Sequence, residues 1–179
     1  LKAIYGANQD SRLSGKTTIQ LNGGIILESV YGGGQHADAV VDGETNVEIN
    51  GGTILQNVYG GGYSANVGFE EKEGKTTVIL SGGTVKGKVY AAGNEETQQS
   101  GEDGQMKEKT VAVVYGESLV EIYGQPVVYS ETGDSGIVMD SIVAKNNDVD
   151  AENTIKITGE VSEDAKLKVI YGTTPGKNS

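Results

Sequence analysis

The side chains that could perform acid–base chemistry are few and scattered along the chain. His36 is the only histidine, and cysteine is absent, which removes thiol nucleophiles, disulfides and thiolate metal sites together. Glycan-cleaving enzymes with the usual mechanism place two carboxylates across one bond. Glu48 is the only acid in the outward columns of the repeats aligned below, and no two carboxylates stand on adjacent repeats. The sequence therefore predicts no catalytic residues.

Oxygen ligands for a hard cation occur only in loose groups. Ca²⁺ needs six to eight oxygen ligands, and no aspartate recurs at a fixed distance behind the glycines, as calcium-binding repeats require. We therefore predict no metal site and no cofactor. The acids considered are Asp38, Asp42, Glu102, Asp103, Asp134, Asp140, Asp148 and Asp150.

Tyrosine recurs at one place in the pattern, each time before a glycine or alanine. If the preceding aliphatic residue points inward, strand alternation turns the tyrosine outward. An outer column of rings beside bare backbone would suit sugar rings, whereas a self-stacked ladder that shields the structure needs no ligand. We predict a ligand site along this column, which is formed by Tyr31, Tyr59, Tyr90 and Tyr123. Tyr63 and His36 are predicted to lie at the rim of the site.

Three segments of twenty residues align without a gap. They are Gly15–Gly34, Gly43–Gly62 and Gly74–Gly93, and each joins a strand pattern to a Gly-Gly pair and a Val-Tyr ending. A fainter copy runs from Thr110 to Gly124, and a last one, with an insertion, from Thr154 to Gly172. Repeats at this period predict a stack of similar units that share one core.

Within each copy the apolar residues alternate with a period of two, which is typical of strands. The Gly-Gly pair predicts a corner between a first and a second strand. Almost no helix is expected. The residues predicted to point inward are Ile19, Leu21, Ile26, Val30, Val47, Ile49, Ile54, Val58, Val78, Leu80, Val85, Val89, Val111, Val113 and Ile122.

These patterns predict an all-β chain in one domain spanning residues 1–179. The expected fold is a single-stranded parallel β-helix, a right-handed β-solenoid of the pectin-lyase type with five or six coils. Residues 1–124 hold the clear repeats, and residues 125–179 hold irregular coils and a C-terminal copy. We expect the chain to be a segment of a longer protein. The rival fold, a β-sandwich of hairpins, gives no reason for tyrosine to recur in one place.

Charge excludes some partners. The chain has 25 acidic and 14 basic residues, a formal net charge of −11. Such a surface repels nucleic acid, whose recognition relies on Lys and Arg. No apolar run approaches the roughly 20 residues of a membrane helix, so we expect no membrane insertion in this segment.

The Val-Tyr-Gly-Gly-Gly ending after a Gly-Gly-Thr-Ile strand resembles the repeats of large adhesin-like β-helix proteins on the surface of gut bacteria and related microbes. The likeness covers Ile4–Gly124, weakens over Thr154–Gly172, and provides no catalytic residues. It implies a secreted or cell-surface protein with a glycan or a host-surface ligand as its partner. The function expected is a non-catalytic module for adhesion or glycan contact. The alternative is a carbohydrate-active β-helix enzyme of the polysaccharide lyase or hydrolase type.

Overall fold

The computed structural model describes residues 1–96, 110–129, 135–138, 153–161, 166–167 and 170–171, and every element in these ranges is a β-strand. The strands are β1 (Ile4–Tyr5), β2 (Thr17–Ile26), β3 (Val30–Tyr31), β4 (Glu44–Ile54), β5 (Val58–Tyr59), β6 (Gly74–Leu80), β7 (Thr84–Val85), β8 (Lys88–Tyr90), β9 (Glu95–Glu96), β10 (Thr110–Val111), β11 (Gly116–Gly124), β12 (Val127–Val128), β13 (Gly136–Val138), β14 (Asn153–Val161), β15 (Lys166–Leu167) and β16 (Ile170–Tyr171).

These strands form two separate parallel sheets and one antiparallel pair. The six-stranded sheet has the order β1-β3-β5-β8-β13-β16. The eight-stranded sheet runs β14-β11-β6-β4-β7-β12-β15, with β2 paired to β4, and curls into a half-barrel. Strands β9 and β10 pair antiparallel.

Parallel pairing joins equivalent positions of successive repeats. Val47 lies between Ile19 on one side and Val78 on the other, in register. In the six-stranded sheet Val30 and Val89 flank Val58 in the same way. β-Branched side chains pack well in such columns. The predicted parallel pairing of the repeats is therefore confirmed.

The predicted fold class is wrong. The structure is not a single-stranded, pectin-lyase-like β-solenoid of five or six coils, because its strands divide between two separate sheets, one of them curled, and an antiparallel pair interrupts the series. The Gly-Gly pair was expected to end one strand and begin another. In the third repeat Gly82-Gly83 does separate β6 from β7, as predicted. In β2 and β4 the strand instead continues through the glycines, with register shifts on either side of Asn22, and pairing resumes at Ile25 and Thr53. Gly24 and Gly52 have φ of 90° and 85°, which bends the strand without breaking it.

The main core lies between the two sheets. All of the predicted inward residues from Ile19 to Val89 are buried, as is Ile122. Val113 is half-buried, and the side chain of Val111 lies outside the described residues. Val120, Val128 and Ile137 complete the same core.

A further column of aliphatic residues was not anticipated. Leu13, Val41, Val67 and Val114 pair in parallel from one repeat to the next. The alanine two positions before each of the three valines is also buried, and these alanines are Ala39, Ala65 and Ala112. The sequence signal was the recurring Ala-x-Val, which follows connecting segments of unequal length and so escaped a gapless alignment.

The glycines that follow Tyr5, Tyr31 and Tyr59 are required by close packing between repeats. A Cβ on Gly32 would lie 2.1 Å from the carbonyl oxygen of Gly60, and one on Gly60 would lie 2.1 Å from that of Ala91. The same carbonyls accept hydrogen bonds from threonine hydroxyls of the other sheet. Thr45 donates to Gly60 at 2.5 Å and Thr76 to Ala91 at 2.6 Å. These bonds tie the curled sheet to the six-stranded sheet.

Candidate functional site

The recurring tyrosines form a stacked ladder. The ring centroids of Tyr5 and Tyr31 lie 4.9 Å apart, those of Tyr31 and Tyr59 4.8 Å, and those of Tyr59 and Tyr90 4.7 Å. The rings are nearly parallel, with interplanar angles of 4° to 7°. This spacing is the distance between adjacent strands, so the parallel pairing of β1, β3, β5 and β8 dictates the stack.

Burial makes the centre of this ladder a poor platform for a ligand. Tyr31 and Tyr59 are only 7% and 6% exposed. The Tyr59 hydroxyl accepts a hydrogen bond from Asn57 Nδ2 at 2.9 Å. Burial, reinforced by the neighbouring rings of Tyr90 and Tyr31, raises the pKa of Tyr59 well above its ordinary value, whereas the Asn57 hydrogen bond opposes the shift. The geometry matches the self-stacked ladder, the alternative left open by the sequence.

The two predicted rim residues, Tyr63 and His36, lie in different places. Tyr63 contacts the ladder, and His36 contacts Asp10. The ring of Tyr63 meets that of Tyr31 edge-on, with centroids 5.4 Å apart. His36 Nδ1 shares a hydrogen bond with Asp10 Oδ1, and both side chains are largely exposed.

Tyr123 does not belong to the ladder. It lies on β11 in the curled sheet, where Ile122 pairs with Leu80. The position next to Tyr90 in the six-stranded sheet is occupied by Val138. The fourth repeat was therefore misaligned: Val120 and Ile122 take the places expected for Val111 and Val113.

On the outer face of the curled sheet, Tyr123 ends a row of polar side chains, which we call the outer row: Asn22, Asn50, Ser81 and Tyr123. Asn50 Nδ2 donates to Asn22 Oδ1 at 3.0 Å, and the Ser81 hydroxyl donates to Asn50 Oδ1 at 2.6 Å. Tyr123 follows the buried Ile122 and is 40% exposed. The arrangement offers amide and hydroxyl groups in a row, with a partly exposed tyrosine side chain on β11.

A second row of outward-facing side chains on the curled sheet consists of Glu48, Ile79 and Glu121. It contains one more acid than the sequence alignment predicted. The corrected register places Glu121 beside Ile79, and Ile79 lies beside Glu48. Lys156 Nζ lies 3.1 Å from Glu121 Oε1, and the Thr158 hydroxyl donates to the same oxygen at 3.0 Å. The bond from Lys156, followed by that from Thr158, lowers the pKa of Glu121. Glu121 is thus held as a carboxylate by its neighbours.

Two shallow depressions lie at the start of the same strands. One, of about 310 Å³, is lined by Glu44, Glu73, Lys75 and Glu117. The other, of about 240 Å³, shares Lys75 and Glu117 and extends to Lys156. Lys75 Nζ lies 2.7 Å from Glu117 Oε2. The Lys75 ammonium group therefore lies among the carboxylates that line these depressions.

No group of three or more potential metal ligands occurs among the residues that the structure describes. Of the acids considered for Ca²⁺, Asp42 accepts a hydrogen bond from Arg12, whose guanidinium lies 4.3 Å from the centroid of the Phe69 ring. The acids from Glu102 to Asp103 and from Asp134 to Asp150 lie outside the described residues. Within the described ranges there is also no helix long and apolar enough to cross a membrane.

Comparison with known proteins identifies no relative: no family model, no curated protein and no solved structure matches the chain.

Proposed function

We propose that this chain is a non-catalytic module, extracellular or on a cell surface, that contacts an extended glycan through the outer row. The observation that carries the proposal is the exposed ring of Tyr123 at the end of the hydrogen-bonded series Asn22, Asn50 and Ser81. Aromatic rings present an apolar face with a polar edge, and sugar rings present an apolar face bordered by hydroxyls.

The regular spacing supports a polymer more than a single small molecule. Successive side chains of the row lie on adjacent strands or, for Ser81, directly after one. Adjacent strands are about 4.8 Å apart, so a chain of sugars laid across them would meet a polar or aromatic group at each step. The face is rigid, because the strands beneath it are paired on both sides from β4 to β11. Little side-chain ordering would then oppose binding.

Tyr123→Ala tests this proposal, and Tyr129→Ala is the matched control. Tyr129 is 39% exposed, against 40% for Tyr123, but follows β12 beyond the bend of the curled sheet. A glycan array of the parent should identify a ligand, and titration should show about tenfold weaker binding for Tyr123→Ala, or roughly 1.4 kcal/mol. Tyr129→Ala should bind as the parent does. No glycan binding by the parent, or equal losses in both variants, would contradict the proposal.

A carbohydrate-active enzyme is the second candidate, because Glu44, Glu73 and Glu117 line one depression. Carboxylate pairs up to about 9.5 Å apart support glycoside hydrolysis. Lys75 stands between Glu44 and Glu117 in the strand register and pairs with Glu117, which favours a structural charge ladder. Incubating the bound glycan with the parent and measuring its chain length separates the two functions: shortening that Glu117→Gln abolishes would establish the enzyme.

A further inference from the structure

The second row lies in the interior of the curled sheet and presents a carboxylate that no cation neutralises. Its members lie on β4, β6 and β11, each of which is paired with a strand on either side. Gln20 Nε2 donates to Glu48 Oε2 at 2.6 Å, and Asn46 Nδ2 donates to Glu48 Oε1 at 2.6 Å. Among the described residues, no lysine or arginine forms an ion pair with Glu48. Two neutral amides therefore fix the Glu48 carboxylate in place without cancelling its charge.

Asn46 gives up a hydrogen bond of its own in this arrangement. Its Oδ1 is the one buried side-chain polar atom without a hydrogen-bond partner in the part of the chain that the structure describes. Such a group is costly to bury, and asparagine is depleted in strands. The equivalent residues of the adjacent strands are Thr18 and Thr77, whose type suits a strand. Stability does not favour asparagine at this place, whereas its bond to Glu48 accounts for it.

The other carboxylate of the row already binds an ammonium group. Lys156 on β14 pairs with Glu121 in register, and its Nζ lies 3.1 Å from Glu121 Oε1. The Thr158 hydroxyl donates to the same oxygen at 3.0 Å. Both bonds end on Oε1, which leaves the acceptor capacity of Oε2. The fold itself thus shows which kind of group this row accepts.

The spacing of the two carboxylates matches a repeat of an extended polysaccharide. Glu48 and Glu121 are two strands apart, with Ile79 between them, which is roughly 10 Å. In an extended β-1,4-linked chain each sugar is rotated by about half a turn from the last and advances by little more than one strand spacing. The same substituent therefore recurs along one edge at every second sugar. The sugar in between would lie over Ile79, which is half-buried and apolar.

The outer row runs alongside the second row. Asn50 and Tyr123 follow Glu48 and Glu121 by two positions on the same strands, and residues two apart on a strand share a face. A glycan that lies on the outer row would therefore have the second row along one of its edges. Carboxylates at that edge repel uronic acids and sulfated sugars and attract ammonium groups, and the net charge of −11 acts in the same direction.

We infer that the glycan bound at the outer row is a β-1,4-linked chain whose sugars carry free amino groups, as in a glucosamine polymer. Ammonium groups of alternate sugars bind Glu48 and Glu121, and the sugar between them packs on Ile79. Asn46 is a positioning residue, because it acts through Glu48. This inference rests on the proposed glycan contact and names its substrate class. Acetylation of the amino groups removes their charge, so the acetylated chain lacks these two contacts.

Two ligands with one backbone test the inference on the intact chain. The glucosamine hexamer and the N-acetylglucosamine hexamer share the β-1,4 linkage and differ in charge. Isothermal titration calorimetry in a dilute, mildly acidic buffer should show about tenfold tighter binding of the glucosamine hexamer. This preference should shrink as salt is added, because salt screens exposed charges.

Glu48→Gln is the main variant, and Glu44→Gln is its matched control on the same strand and face. Both substitutions remove one negative charge, but Glu44 lies beside Lys75 and outside the second row. Glu48→Gln should bind the glucosamine hexamer about tenfold more weakly than the parent does and the acetylated hexamer equally well. Glu44→Gln should bind both hexamers as the parent does.

Asn46→Thr separates a positioning role from a structural one. The substitution copies Thr18 and Thr77 and removes the buried oxygen that lacks a partner. We expect a Tm equal to or above that of the parent. Binding of the glucosamine hexamer should nevertheless weaken by about threefold, since Glu48 loses a donor that fixes it, and binding of the acetylated hexamer should not change.

The outcomes distinguish this inference from the proposed function. If the parent binds the glucosamine hexamer no more tightly than the acetylated one, and Tyr123→Ala weakens both, the inference is wrong and the glycan contact stands. Equal losses in Glu48→Gln and Glu44→Gln would reveal a general effect of charge and would also overturn the inference. If the parent binds no glycan, both proposals fail.

Discussion

At the scale of single residues, the tyrosine ladder shows how a repeated ring can serve stability. Each ring of Tyr31 and Tyr59 contacts a ring above and below at 4.7 to 4.9 Å, and aromatic pairs gain about 0.5–1.5 kcal/mol beyond their buried area. A sugar would have to displace one of these partners. The ladder therefore explains the recurrence of tyrosine without a ligand, whereas Tyr123 lies outside the ladder and is exposed.

The raised pKa of Tyr59 makes stability depend on alkaline pH. Its folded-state pKa lies above the unfolded value of about 10, so the folded chain keeps a proton that the unfolded chain loses. The stabilisation is complete below pH 10 and is lost as the pH rises above it, by up to about 1.4 kcal/mol per pH unit. Thermal melts between about pH 9 and 11 should show a steeper fall in Tm for the parent than for Tyr59→Phe. Identical slopes would contradict the assignment.

At the scale of elements, the threonine hydroxyls join strands that the sequence could not show to be adjacent. Thr45 on β4 is 1% exposed and donates to the Gly60 carbonyl, which directly follows β5 of the other sheet. Thr17 and Thr76 make the same bond one repeat away on either side, to Gly32 and Ala91. Neither the burial of these threonines nor their acceptors was predicted from the sequence.

Thr45→Val keeps the shape of the side chain and removes the donor. We expect a loss of about 1–2 kcal/mol in the free energy of unfolding, since a buried carbonyl loses a hydrogen bond. Thr53→Val, on the outer face of the same strand and half-buried, is the control and should change stability by less than about 0.5 kcal/mol. Urea unfolding measures both. Equal effects would show that the hydroxyl of Thr45 does not connect the sheets.

The strands of the first three repeats were predictable because one gapless pattern fixes both their alternation and their register. The fourth repeat was not, because Thr110–Gly124 contains two aliphatic segments and either could continue the column of Val78. The structure selects Val120, since Gly116 then stands beside Gly74, at a position where a Cβ would lie 2.4 Å from the Gly74 carbonyl oxygen. A close backbone contact of this kind has no signature in hydrophobic alternation.

At the scale of the whole molecule, the period predicted parallel pairing but not the architecture. Alternation and Gly-Gly pairs are compatible with a strand that ends at the glycines and with one that bends through them. Backbone pairing decides between them, and in β2 and β4 it resumes after the bend. Tyr123 was assigned to the tyrosine column for a related reason: its place depends on the register of β11, in which Ile122 pairs with Leu80 and Tyr123 follows Ser81 in the outer row.

The second repeat should be dispensable, because the first and third repeats contact it through the same columns of aliphatic residues, threonine and tyrosine. Deleting residues 43–73 joins Asp42 to Gly74 and leaves β2 facing β6, with Ile19 opposite Val78 and Tyr31 opposite Tyr90. We expect a folded chain with a lower Tm, a retained near-ultraviolet circular dichroism signal from stacked tyrosines, and a urea m-value smaller by about a sixth, since m scales with the surface exposed on unfolding and 31 of 179 residues are removed.

The control deletion removes residues 43–57 and joins Asp42 to Val58. It is half as long, but it leaves β5 without β4 and deprives the Gly60 carbonyl of the Thr45 hydroxyl. The columns of valine, threonine and tyrosine then no longer align between repeats. The shorter deletion should therefore abolish cooperative unfolding, whereas the longer deletion should preserve it. If the longer deletion also unfolds the chain, each repeat depends on contacts beyond the shared columns. Arg12 contacts both Asp42 and Phe69, and the longer deletion removes Phe69. This contact is then the first to test.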